Sequence, residues 1–102
     1  MAEVVFFHHV QGLTDGVLGF AEQLRSAGHT VHTPDLFKGH QFLTIDDGFA
    51  HMQSIRKEVI SERAVRAVAD LPNDIVYAGT SWGAARAQQF AQTRPLARGV
   101  LL

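Results

Sequence analysis

The sequence reads as an α/β protein: a parallel sheet with flanking helices, in three αβα layers. Three observations predict this. Short continuous runs of β-branched and aromatic residues recur, of the kind a strand covered on both faces requires. Apolar stripes at helical spacing separate them. The two patterns alternate as β-α-β-α-β-α-β, an order that implies right-handed crossovers between parallel strands.

Val4-Val5-Phe6-Phe7 is the first such run, and turn-forming residues follow it from Gln11 to Gly16. Val17, Phe20, Ala21, Leu24 and Ala27 then recur at helical spacing, with Gly28 where a helix C-cap belongs. Residues 29–33 read as a second, more polar strand, stopped by Pro34-Asp35, and residues 36–43 as a loop. Thr44 is a good N-cap, and Asp46 and Asp47 fall in the first turn, where carboxylates favour the helix dipole. From Phe49 through Met52, Ile55, Val59, Ala64, Ala67, Val68 and Leu71 one apolar stripe runs to Pro72, either as one long helix or as two broken near Ser61. Residues 74–78 form a third buried strand. Gly79 to Gly83 then turns sharply into a helix rich in small residues (Ala84, Ala85, Ala87, Ala91) that Thr93-Arg94-Pro95 ends. Gly99 begins a fourth strand. Nothing repeats and no stretch is linker-like, so residues 1–102 read as a single unit.

Composition narrows the function. The 102 residues hold 9 Lys and Arg against 10 Asp and Glu, a net charge of −1 with the 6 His neutral. That balance gives no footprint for nucleic acid or an anionic membrane as partner. At 46% hydrophobic the chain is too apolar for disorder. The absence of Cys removes a disulfide framework, a Cys-ligated zinc and a thiol nucleophile. No window approaches the ~18 apolar residues of a membrane span. Met1 to His9 lack a basic n-region and a small-residue cleavage site. A soluble cytoplasmic protein needing neither metal nor cofactor is the expectation.

One motif carries chemistry. Gly79-Thr80-Ser81-Trp82-Gly83 lies between a predicted strand and a predicted helix, the context in which G-x-S-x-G is informative. A turn that tight would hold Ser81 in a strained conformation with its hydroxyl above the sheet. A Cβ at Gly79 or Gly83 would collide with the neighbouring strand or helix. The helix that follows aims its free N–H groups and positive dipole end at Ser81. The Trp82 N–H is then placed to stabilise a developing oxyanion. The plainer alternative is a tight βα turn in which Ser81 only caps the helix.

The elbow GTSWG, the opening VVFFHHVQGLT and the segments HTVHTPDLFKG and ADLPNDIVYAG, in this order, resemble the dienelactone hydrolase family of the α/β-hydrolase superfamily. The resemblance implies a truncated α/β-hydrolase fold, with these residues its N-terminal half. It implies a nucleophile at Ser81, a small ester or lactone as substrate, and a second oxyanion donor in the loop after the first strand, by position the Val10 N–H. The best-known members carry Cys where this chain has Ser81, Glu at the position matching His9, and often Gly where Ala84 stands. These departures point to a general esterase-like activity rather than to dienelactone itself.

In that superfamily the order along the chain is nucleophile, acid, His. No Asp, Glu or His follows Ser81 in these residues; the histidines at 8, 9, 29, 32, 40 and 51 all precede it. A serine hydroxyl needs a base, and the base an orienting acid, so the expectation is a segment that hydrolyses little by itself. With the sheet ordered second-first-third-fourth, His8 and His9 end the strand beside the elbow. There they shape the oxyanion loop and, with Trp82, are candidates for the substrate pocket; one of them acting as base is the bolder alternative. Asp35 reads as a turn or capping residue rather than the acid. His29 and His32, three apart on a strand, lie on opposite faces, which argues against a shared metal; no role is read for His40 or His51. Two other classes compete. Gly12, Gly16 and Gly19 after the first strand, with Asp35 ending the second, loosely follow a dinucleotide fold, but the spacing is not G-x-G-x-x-G. A non-catalytic interaction module would self-associate through the apolar edge of the fourth strand.

Overall fold

The computed structural model describes residues 2–72, 74–79, 82–93 and 99–101. Along them run β1 (Glu3–Phe7), α1 (Asp15–Ser26), β2 (Thr30–His32), α2 (Ile45–Ser54), α3 (Lys57–Val68), β3 (Val76–Gly79), α4 (Trp82–Thr93) and β4 (Gly99–Leu101). The strands form one sheet in the order β2-β1-β3-β4, each neighbouring pair parallel. Val5 sits between His32 and Tyr77, and Phe7 lies opposite Gly79. The carboxyl ends of β1 and β3 therefore finish level, and the loops leaving them emerge side by side.

Side-chain alternation along β1 divides the core into two layers. Val4 and Phe6 pack with Val17 and Ala21 of α1, Val31 of β2 and Ala78 of β3. Val5 and Phe7 face the other way, against Ile60, Ala64 and Val68 of α3 and Ala87 and Phe90 of α4. Phe90 stacks on both Phe7 and Tyr77, with centroids 5.6 and 5.9 Å apart. Each such fully buried side chain contributes about 1.5–3 kcal/mol. Helices thus cover both faces of a parallel sheet, as the apolar runs predict.

The helix ends follow the local chemistry. Gly28, at φ +97°, closes α1: its N–H reaches the Arg25 carbonyl at 2.9 Å and the His29 N–H reaches Leu24 at 3.1 Å, the two bonds of a Schellman cap. Thr44 caps α2, its hydroxyl accepting from the Asp47 N–H at 3.1 Å. The long apolar stripe is two helices, with the break at Ile55 and Arg56 rather than near Ser61, which lies within α3. The Ser54 hydroxyl donates to the His51 carbonyl at 2.6 Å, competing for an acceptor at the end of α2. Past the break the buried face is Ile60, Ala64 and Val68, with Val59 half-buried; before it, Phe49 of α2 is 46% exposed.

The loop after β2 is less peripheral than its sequence suggests. Leu36 and Phe37 are fully buried in the α3/α4 layer. Asp35 fixes their approach, one carboxylate oxygen accepting from the Phe37 N–H and the other from Gly39, both at 2.9 Å.

Candidate active site

The first crossover carries the chain from β1 to β2 on one side, and the next carries it back across β1 to β3. In open parallel sheets ligands bind outside the carboxyl ends of the strands where this reversal occurs. Here that place is bounded by the loop leaving β1 and by the junction of β3 with α4.

The loop leaving β1 is held from two sides. Within it the His9 carbonyl accepts from the Gly12 N–H at 3.0 Å, and the His9 Nδ1 accepts from the Gln11 N–H at 3.2 Å. The Gln11 carbonyl accepts from the Phe42 N–H at 2.9 Å, while the Gln11 amide donates to the carbonyls of Phe42 and Leu43. Gly12, at φ +94°, lies so close to the His40 carbonyl that a Cβ would overlap it. On the second side Gly48 of α2 rests directly on the carbonyl of Val10. Val10 itself is buried.

Across the switch point, β3 ends at the buried Gly79 and α4 begins at Trp82. Thr80 and Ser81, the second of them the expected nucleophile, lie outside the described residues. Gly83, in the first turn of α4, sits on the Phe7 and His8 carbonyls, and any Cβ there would strike both. The N-terminus of α4, the positive end of its dipole and the end whose N–H groups have no intrahelical acceptor, is therefore pressed against the exit of β1.

His8 and His9 part company at this point. His8 is fully buried, with Nδ1–H donating to the His9 carbonyl at 2.7 Å and Nε2 accepting from the Leu36 N–H at 2.9 Å. Its ring meets Phe37 edge-on at 4.9 Å and lies nearly parallel to Trp82 at 5.8 Å. Burial pushes its pKa below the ordinary value, partly offset by the bond to the His9 carbonyl. Neutral and engaged at both nitrogens, the ring has none left for a substrate proton. His9 is half-buried and borders a shallow depression of about 180 Å³ on the α1 side, with Phe6, Val17 and Phe20. Trp82 borders a different cavity, between α3 and α4. Among the described residues His8 and Trp82 are therefore in ring contact, while His9 borders a separate depression.

The remaining candidates have local partners. Asp35 holds the turn before Phe37. His29 Nδ1 accepts from the Ala2 N–H at 3.0 Å, and His32 pairs with Glu3 at 2.7 Å. Gly16 and Gly19 have room for a Cβ, so of the three glycines in the dinucleotide-like pattern only Gly12 meets a backbone contact that excludes one. Among the described residues no group of three or more His, Asp or Glu side chains could hold a metal, and no helix is long and apolar enough to cross a membrane.

Several residues of this region go unmarked in the sequence. Gly48 leaves one sign, since a glycine inside a helix costs about 1 kcal/mol relative to Ala and so calls for a packing reason. Gln11, Leu36 and Phe37 act through contacts far along the chain and leave none. His51, ringed by Phe37, His40 and Phe42, has a buried Nε2 without a partner among the described residues. Burial, then the charges of His40 and Arg63, lower its pKa. Arg86 lies with Cζ 5.3 Å from the centre of the Trp82 ring. No protein-family model matches this chain, and no curated protein is significantly similar to it.

Proposed function

We propose that the protein is a serine-dependent hydrolase of small esters or lactones, built on the N-terminal half of an α/β-hydrolase fold like that of the dienelactone hydrolases. Ser81 is its nucleophile, and the N–H groups of Val10 and Trp82 receive the oxyanion. The observation that carries this reading is the backbone contact of Gly83 with Phe7 and His8, which sets the start of α4 beside the loop that bears Val10. A strand, a two-residue junction and a helix N-terminus at the sheet's switch point are the surroundings a G-x-S-x-G nucleophile needs.

In this mechanism the Ser81 oxygen attacks the carbonyl carbon while a base takes its proton. Negative charge moves to the carbonyl oxygen, where two preorganised N–H donors meet it. Collapse breaks the ester C–O bond, and the base protonates the departing alkoxide, which stays tethered when the substrate is a lactone. Water, activated by the same base, then releases the acyl group and restores the hydroxyl. Neither His8, with both nitrogens engaged, nor Asp35, with both oxygens engaged, supplies the base and its orienting acid. Residues 1–102 alone are accordingly expected to turn over little ester. In the protein that carries this segment, Ser81→Ala lowers kcat/KM on p-nitrophenyl acetate or a small lactone by about 10³-fold or more. A Ser81→Ala protein as active as the wild type overturns the reading.

A further inference from the structure

We infer that the cleft between α3 and α4 is a binding site for a small amphiphilic carboxylate, its charge met by Arg86 and its apolar body lying against Met52, Ile55, Ile60 and Trp82. The cleft has a volume of about 390 Å³, within the range of roughly 300–1,000 Å³ usual for small-molecule sites. Three helices build its walls: Met52 from α2, Ile60 from α3 and Trp82 with Arg86 from α4, while Ile55 comes from the break between α2 and α3. Lys57 adds a second cation, and none of the residues lining the cleft is acidic.

Arg86 is what distinguishes this cleft. Its Nε is buried and has no hydrogen-bond partner among the described residues. Arg25, Arg63 and Arg66, by contrast, each reach a carbonyl or a carboxylate. A wider depression of about 660 Å³ on α3 includes Arg66, but that residue is already paired with Glu62. A buried donor left unmade costs about 1–3 kcal/mol, more when it is charged. Desolvation also works against the Arg86 charge and lowers its pKa. A carboxylate on the terminal nitrogens of the guanidinium offsets the second. A carboxylate fits best, because the planar guanidinium offers it two parallel N–H donors while its Cζ lies 5.3 Å over the Trp82 ring. The mostly apolar walls favour a ligand with one charge and a hydrocarbon body over a small, strongly hydrated anion.

The site shares Trp82 with the hydrolytic reading, but through its ring rather than its backbone N–H, and it needs no step of that reading. Trp82 is the sole tryptophan in these residues, and its fluorescence reports the cleft directly. Octanoate is expected to give a saturable change in that fluorescence, with octan-1-ol binding at least about tenfold more weakly to the same protein. Arg86→Gln should weaken octanoate about tenfold and leave octan-1-ol unchanged. The Ser81→Ala protein should bind octanoate as the wild type does, which keeps a failure of hydrolysis separate from a failure here. No saturable change, equal affinity for the acid and the alcohol, or indifference to Arg86→Gln would each overturn the assignment. The acid-to-alcohol comparison needs no variant to fold.

Discussion

Gly48 and Gly19 are both glycines inside helices, yet the structure gives them opposite consequences. A methyl group at Gly19 meets open space, whereas at Gly48 it runs into the Val10 carbonyl. Gly19→Ala should therefore stabilise the protein by about 0.5–1 kcal/mol through helix propensity. Gly48→Ala should destabilise it by about 1–3 kcal/mol, since backbone must shift to admit the methyl. Urea titration of the two variants checks this, and equal stabilisation by both would remove the close approach of α2 to the β1 exit. The same substitution should depress ester turnover, because it displaces a proposed oxyanion donor. Gly83 was legible from sequence because the G-x-S-x-G spacing assigns it a reason. His8 was only half legible: its place at a strand end could be read, but the bond that fixes its ring comes from Leu36, 28 residues further on. No local pattern encodes a contact of that kind.

Elements were legible wherever their stop signals are local. The capping hydroxyl of Thr44, the left-handed Gly28 and the apolar run of β1 each act within a few residues, and each appears in the structure near where the sequence puts it. The break between α2 and α3 was not legible, because the apolar stripe continues through it and Arg56 makes no side-chain cap that would announce a new helix. Burial of Leu36 and Phe37 escaped for a related reason, as their partners on α3, β3 and α4 are distant in sequence. Capping chemistry separates two threonines cleanly. Thr44→Ala should remove about 1 kcal/mol of stability, whereas Thr14, whose side chain makes no cap hydrogen bond, should tolerate Ala with little change. A difference between their urea midpoints is the measurement, and identical midpoints would deny Thr44 its role.

For the molecule as a whole, the two lowered histidines set a pH dependence. His8 and His51 are both held below the ordinary value of 6.5, first by desolvation. Between their folded values and about 6.5 the unfolded chain binds more protons than the folded one, so stability rises with pH across that interval. It is fully present above about 6.5 and is lost as pH falls from there toward the folded values. The urea midpoint should therefore be lower at about pH 5.5 than at about pH 7.5, and His51→Gln should flatten the difference. A wild-type midpoint that does not move between those conditions contradicts a neutral, desolvated His8. Around the exit of β1, main chain rests on main chain at Gly12, Gly48 and Gly83, and main chain has no rotamers to hop between. Such a junction works as a keystone. Drift can recolour the walls at Trp82 and Arg86 without shifting the backbone behind them; one added methyl at the keystone displaces that backbone.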